Sequence, residues 1–303
     1  MWVTRITPRI IWFGLGLQIS LRFVALILLY NGQSSVGVMS LDVLRVVGSF
    51  IAYALAFFIC WGVANEYRET KWMRWAWLAL TMNAGLSLLR PFSRPMALLG
   101  QSVDLYETPP HYALYLHLVM VPANFCLLLG LVAIWWAYHE TGLGFKLRRR
   151  DGAAAIVLLG LMVLFYLFRD LLTEAQAVYR LTSILQLISQ LQMFLIAAAS
   201  LLLYRVSVQM GSGKLAMVLR WMTIYALFRL AMVLAVSLAR FSFPNQFHWI
   251  TDVAEFGWQT APWLFALAVA YRAELTAMAA QRLAHIRKDA SALSAWSIAQ
   301  SGK

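Results

Sequence analysis

Residues 115–138 read YLHLVMVPANFCLLLGLVAIWWAY, a run of 24 residues that contains no Asp, Glu, Lys or Arg. A helix rises about 1.5 Å per residue, so roughly 20 residues cross the ~30 Å hydrocarbon core of a bilayer. The run shows no alternation of period two, and a helix satisfies all of its backbone N–H and C=O groups internally. This stretch therefore predicts a membrane-spanning helix.

Similar apolar runs recur along the whole chain. Hydrophobic residues make up 62% of the 303 residues and charged residues only 13%, against roughly 25% charged in ordinary soluble domains. The predicted spans are Ile10–Tyr30, Leu44–Val63, Trp75–Leu89, Tyr115–Tyr138, Ala153–Leu172, Leu181–Tyr204, Leu215–Leu238 and Trp249–Tyr271. We therefore expect an all-α fold, a polytopic membrane bundle of eight transmembrane helices within residues 1–272.

The basic residues predict how this bundle is oriented. With the N-terminus inside, 17 of the 25 Lys and Arg residues and 6 of the 13 Asp and Glu residues fall in cytoplasmic segments, which gives that side +11 of the net +12. The positive-inside rule then predicts that both termini are cytoplasmic. We expect the protein in a membrane such as the bacterial inner membrane.

Two basic segments suggest contacts at the cytoplasmic face. The cluster from Lys146 to Arg150 is interpreted as binding anionic lipid headgroups, because no nucleic-acid-binding motif accompanies the charge. Residues 273–303 combine apolar positions such as Leu275 and Met278 with Arg282 and Arg287. This pattern predicts a short cytoplasmic amphipathic helix that lies on the inner leaflet or pairs with a partner protein.

Several reaction classes lack their characteristic residues. No lysine lies inside a predicted span, which excludes a retinal Schiff base there, and no metalloprotease or nucleophile-elbow motif occurs. The sequence therefore predicts no catalytic residue and no metal site. His117 and His248 are expected at similar depth, so a haem or pigment stays an open alternative, and the cofactor question is left undetermined.

Arginines within the spans are the main candidates for function, because charged groups inside a membrane are costly. Arg22 and Arg229 have no carboxylate at their own predicted depth, while Arg90 and Arg169 lie nearer the outer ends. One interpretation is structural: ion pairs that fix helix packing, or side chains that extend toward the interface. The other is an outward-facing cavity in which guanidinium groups bind an anion.

Polar residues on two other spans carry the same two interpretations. On the sixth span, Gln186 and Gln190 share a helix face with Thr182 and Ser189. On the fourth, Asn124 lies close to Pro122, where a kink or a cavity wall is expected. Such residues form interhelical hydrogen bonds or contact a ligand.

We therefore expect a non-enzymatic integral membrane protein, sensor-like or a subunit of a larger complex, that binds a small anionic or amphipathic ligand near the outer leaflet. The candidate ligand-binding residues are Arg22, Arg229, Arg90, Arg169, Gln186, Gln190 and Asn124. One alternative is a transporter or channel for such a solute. Another is a cofactor-bearing subunit for electron or energy transfer.

Overall fold

The computed structural model describes residues 7–31, 34–92, 110–143, 177–211, 213–242 and 256–275, together with the single positions 153, 156, 160, 277 and 278. Three of the regions predicted from the sequence lie outside these residues. They are the fifth predicted span apart from its three single positions, the basic cluster at 146–150, and nearly all of the predicted tail.

Seven helices and no strand occur among the described residues, which confirms the all-α class. They are α1 Pro8–Tyr30, α2 Ser34–Glu66, α3 Lys71–Ser87, α4 Pro110–Tyr138, α5 Ala177–Gln209, α6 Lys214–Ser242 and α7, residues 256–275. A 3-10 turn, Arg90–Phe92, follows α3, and a π-helical turn, His139–Leu143, continues α4.

Five of these helices contain segments that are long and apolar enough to cross a membrane. The segments are Pro8–Leu28, Val46–Glu66, Leu114–Thr141, Leu181–Gln209 and Lys214–Ala235. The chain is therefore a multi-pass membrane protein by the length and composition of its helices. The helix α3 has 17 residues, about 26 Å at the usual rise, and is the shortest of the six helices that precede α7.

Helix α2 begins earlier than the hydropathy pattern predicts, at Ser34 rather than Leu44. The segment before Leu44 is more polar, but it contains no proline. Once a helix is nucleated, each further residue adds a backbone hydrogen bond at small entropic cost, so polarity alone does not end it. Only residues 31–33 separate α1 from α2.

Helix α7 lies at the centre of the described bundle. Every residue from 261 to 270 is buried, as expected of a helix that is apolar on all sides. Its Trp263 reaches α1, since a Cβ placed on Gly14 would lie 2.3 Å from that ring. Its Phe265 packs on Tyr225 of α6 with the ring centres 5.1 Å apart. The first helix is therefore part of the bundle.

The start of α1, the start of α6 and the end of α7 lie together at one end of the described bundle. Trp221 of α6 packs on Trp12 near the start of α1, with ring centres 5.4 Å apart, and on Tyr271 near the end of α7, at 6.5 Å. Lys214 and Glu274 meet at this same end. We call it the basic end, and it comprises the starts of α1, α3 and α6 and the ends of α2, α4, α5 and α7.

Candidate ligand site around Arg229

Arg229 lies in the middle of α6 and is only 2% exposed. Its Nη1 donates a hydrogen bond to the hydroxyl of Tyr225, one turn earlier on the same helix, at 3.0 Å. Its Nη2 donates to Oδ1 of Asn124 on α4, at 2.9 Å. Both acceptors are electrically neutral, so the guanidinium is held by dipoles.

Asn124 connects three helices through its two polar atoms. Its Oδ1 accepts from Arg229, and its Nδ2 donates to Oγ of Ser189 on α5 at 3.2 Å. The side chain is fully buried. An amide group offers both an acceptor and donors. One asparagine therefore links α4, α5 and α6, and both its oxygen and its nitrogen form a hydrogen bond.

Aromatic rings from α6 and α7 surround the guanidinium. The Cζ of Arg229 lies 5.4 Å from the ring centre of Tyr225 and 6.0 Å from that of Trp258. The ring of Trp258 also contacts Arg90, whose Cζ is 4.8 Å from the ring centre. Cations within about 6 Å of a ring are attracted to its electron-rich face. Trp258 therefore joins two of the predicted arginines.

The charge of Arg229 has no carboxylate counterpart within ion-pair distance in the part of the chain that the structure describes. Its Nε, also buried, has no hydrogen-bond partner there. An isolated charge in a low-dielectric interior costs several kcal/mol unless it is paired. The site therefore has a positive charge and a donor that an anion would satisfy.

Two further buried amides, on α3 and α5, bond to the backbone of α4 next to Asn124. Gln192 donates from Nε2 to the Val121 carbonyl at 3.1 Å, and Asn83 donates from Nδ2 to the Ala123 carbonyl at 2.7 Å. These two carbonyls flank Pro122, which lies inside α4 without ending it. The amide oxygens of Gln192 and Asn83 have no hydrogen-bond partner among the described residues.

Arg22 occupies a neighbouring position between α1 and α7. It is 5% exposed, and its Cζ lies 5.6 Å from the ring centre of Phe256, two residues before Trp258 on α7. One turn earlier on α1, Gln18 accepts a hydrogen bond from the indole of Trp263. Arg22 and Arg229 therefore approach the same end of α7 from different helices.

The other predicted site residues have different outcomes. Gln190 is buried, and its Oε1 has no hydrogen-bond partner within the described ranges. Gln186, one turn earlier on α5, is half-buried. Arg169 lies outside the described residues. The structure therefore joins Arg229 to Asn124 by a hydrogen bond and to Arg90 through the ring of Trp258. A ligand-binding role stays a prediction for all of the candidate residues.

Tyr225 and Trp258 are site residues that the sequence did not single out. Tyr225 precedes Arg229 by four residues, the spacing that places two side chains on one helix face, so this contact had a readable signal. Trp258 had none, because its meeting with Arg90 and Arg229 depends on how α7 is inserted among the other helices.

Among the described residues, no group of three His, Cys, Asp or Glu side chains comes together. His117 on α4 has a buried Nδ1 without a hydrogen-bond partner there. Its predicted counterpart at similar depth, His248, lies outside the described residues. The haem or pigment alternative therefore stays a prediction.

Comparison with known proteins provides no relative from which a function could be transferred. No family model, no curated protein and no solved structure matches the chain. A functional proposal therefore depends on the chemistry of the buried residues described above.

Proposed function

We propose that this membrane protein is non-enzymatic and binds a small anionic or amphipathic ligand at Arg229, as a sensor or as a subunit of a larger complex. One observation carries the proposal: a guanidinium that is 2% exposed is held only by a phenol and an amide among the described residues. Ionisable groups within a membrane are costly and are functional candidates by default.

The donors of Arg229 favour a carboxylate or phosphate ligand. Its Nε is available for a charge-assisted hydrogen bond, the strong kind that guanidinium groups form with such oxygens. The rings of Tyr225 and Trp258 offer an apolar surface beside this donor. A ligand with one anionic group and an apolar body would satisfy both parts of the site.

Trp258 provides a route from the ligand to the rest of the protein. Its ring lies against both Arg90 and Arg229, so an anion that engages Arg229 would compete with this ring for the guanidinium. Any displacement of Trp258 acts on α7, which ends near the predicted tail. We propose that the site lies toward the outer leaflet and that the tail faces the cytoplasm.

The proposal is tested by thermal unfolding of the purified protein in a non-ionic detergent. Oleate is the anionic probe, and oleyl alcohol is its uncharged analogue. We expect oleate to raise the midpoint of unfolding of the wild type, and we expect this shift to disappear in Arg229→Gln.

Arg220→Gln is the matched control for this experiment, since Arg220 lies on the same helix but is exposed and donates to the Gly211 carbonyl. This variant should keep the full response to oleate. An equal response in the wild type and Arg229→Gln would remove Arg229 from any ligand site.

The transporter or channel alternative is favoured by one feature, the buried amide oxygens of Gln190, Gln192 and Asn83 that have no hydrogen-bond partner among the described residues. Such groups would line a polar path if the helices separated. Flux measurements in liposomes distinguish the two functions, because a sensor at Arg229 would bind the anion without moving it across the bilayer.

A further inference from the structure

A second polar site lies at the basic end, on a different set of residues from those around Arg229. A cavity of about 10 Å³ is lined there by the turn after α2, by α3, α4 and α6, and by Arg272 of α7. Such a volume accommodates about one water-sized atom. Six apolar side chains from α3, α4 and α6 form most of its wall.

Each of the polar groups around this cavity can donate a hydrogen bond. Trp77 is 3% exposed, and its Nε1–H has no acceptor among the described residues. An indole N–H can only donate. Arg272 donates from Nη2 to the hydroxyl of Tyr67, which leaves the proton of that hydroxyl for another acceptor. Tyr138, 8% exposed, adds a second hydroxyl to the lining.

The strong side-chain acceptors of the lining are the hydroxyl oxygens of Tyr67 and Tyr138, and that of Tyr67 already accepts from Arg272. The lining contains no carboxylate, amide or imidazole side chain, and Glu274 at the same end pairs with Lys214 at 2.9 Å. A water molecule there would bring two protons and need acceptors for them. A negatively charged oxygen needs donors alone.

The cavity lies at the depth where lipid headgroups are expected. Exposed Trp72 and Trp136 pack on each other at this end, with ring centres 6.0 Å apart, and the Nζ of Lys71 lies 5.9 Å from the ring centre of Trp72. Exposed tryptophans and lysines of this kind mark the boundary between hydrocarbon and headgroups. Apolar surface beside the cavity would accommodate acyl chains.

We propose that this cavity binds one oxygen of a phosphate group, supplied by the headgroup of a phospholipid in the leaflet at the basic end. The Trp77 indole, the Tyr67 hydroxyl and Arg272 donate to that oxygen, and the rest of the headgroup remains at the surface. The size of the cavity admits a single oxygen, and the donor set selects an acceptor. A soluble phosphate would present the same oxygen to the same donors.

Native mass spectrometry of the full-length protein tests this site. Phosphatidylglycerol is the probe, and diacylglycerol with the same acyl chains is the control that lacks phosphate. We expect phosphatidylglycerol to be retained in preference to diacylglycerol. Because a hydrogen bond to a charged group contributes about 1.5–3 kcal/mol, Arg272→Gln should weaken this binding about tenfold or more.

Lys214→Gln removes a positive charge from the same end, but Lys214 does not line the cavity. This variant should bind phosphatidylglycerol within about twofold of the wild type. Equal losses in Arg272→Gln and Lys214→Gln would show that surface charge, and not the cavity, retains the lipid.

Trp77→Phe keeps the charge of the protein and most of the ring, and it removes the indole N–H donor. It should weaken phosphatidylglycerol binding about tenfold, the effect of one hydrogen bond to a charged oxygen. Unchanged binding in Trp77→Phe would overturn the proposal even if Arg272→Gln failed to fold.

Inorganic phosphate identifies the source of the oxygen. Displacement of phosphatidylglycerol by millimolar phosphate from the wild type, with a weaker effect in Trp77→Phe, would support the site and assign it to soluble phosphate. Retention of the lipid under the same conditions would support the headgroup assignment.

Discussion

Lys214 and Arg229 lie on the same helix, one at the basic end and one among buried amides, and their positive charges are accommodated in different ways. Lys214 is 44% exposed and pairs with a carboxylate, that of Glu274. Arg229 is 2% exposed and bonds to an amide and a phenol. Exposed ion pairs contribute about 0–1 kcal/mol, whereas a buried charge without a countercharge is strongly unfavourable.

This contrast separates a charge that the fold tolerates easily from one that it tolerates at a cost. A buried guanidinium lowers stability relative to an apolar side chain of similar volume. We therefore propose that the guanidinium in the centre of α6 serves ligand binding and not packing, and the following predictions test this proposal.

The largest effect is expected for Asn124→Leu. This change removes one of the two hydrogen-bond acceptors of Arg229 and the donor to Ser189, while it leaves the charge buried. Breaking such an arrangement from one side costs about 3–5 kcal/mol. We expect a markedly lower midpoint of unfolding in detergent, measured by differential scanning fluorimetry.

Arg229→Met provides the comparison for Asn124→Leu, because it removes the charge itself and fills a similar volume. It should unfold at a temperature equal to or above that of the wild type, and it should partly rescue Asn124→Leu when the two are combined. A loss in Arg229→Met as large as that in Asn124→Leu would make Arg229 a structural residue.

A smaller effect is expected for Trp258→Leu, which removes the ring shared by Arg90 and Arg229. A desolvated cation–π contact contributes about 2 kcal/mol, against about 0.5–1 kcal/mol for an exposed one. Trp72→Leu is the exposed counterpart, since Lys71 lies over that ring at 5.9 Å. Trp258 is half-buried and Arg229 is buried, so chemical unfolding should show the larger loss for Trp258→Leu. Equal losses would contradict this difference in exposure between the two contacts.

A comparable or smaller loss is expected for Gly14→Ala on α1. An added Cβ would lie 2.3 Å from the ring of Trp263, which is buried and bonded to Gln18, so it cannot easily move aside. Such overpacking costs about 1–3 kcal/mol. Gly16→Ala is the control, because nothing lies within 4 Å of a Cβ there, and helix propensity should make it neutral or slightly stabilising. Equal behaviour of the two variants would place α1 outside the bundle.

The smallest effect is expected for Lys214→Gln, which breaks the exposed pair with Glu274. The loss should be about 0–1 kcal/mol and should decrease further as salt is added. Unfolding midpoints measured at low and high salt check this dependence. A loss as large as that in Asn124→Leu would contradict the contrast between the basic end and the buried layer.

The sequence predicted the bundle because hydropathy depends only on composition and length. It also indicated Arg229, Arg22 and Asn124, since polar groups inside apolar runs are rare enough to stand out. The pairing of Arg229 with Asn124 could not be predicted, because the two lie 105 positions apart and hydropathy does not specify which helices are neighbours.

The central position of α7 also could not be predicted from the hydropathy pattern. In water, a helix that is apolar on all sides is recognised as buried. In lipid, a peripheral spanning helix is also largely apolar on all sides, so this signal no longer distinguishes a central helix from a peripheral one. The contacts of Trp258 and Trp263 follow from that position and were missed for the same reason.

The most direct test of an anion site at Arg229 is fluorine NMR of protein labelled with 5-fluorotryptophan, with the Trp258 resonance assigned by its loss in Trp258→Leu. Oleate should shift this resonance in the wild type and leave it unchanged in Arg229→Gln, while oleyl alcohol should have no effect in either. A resonance that oleate does not shift in the wild type, or that shifts equally in Arg229→Gln, would contradict an anion site at Arg229.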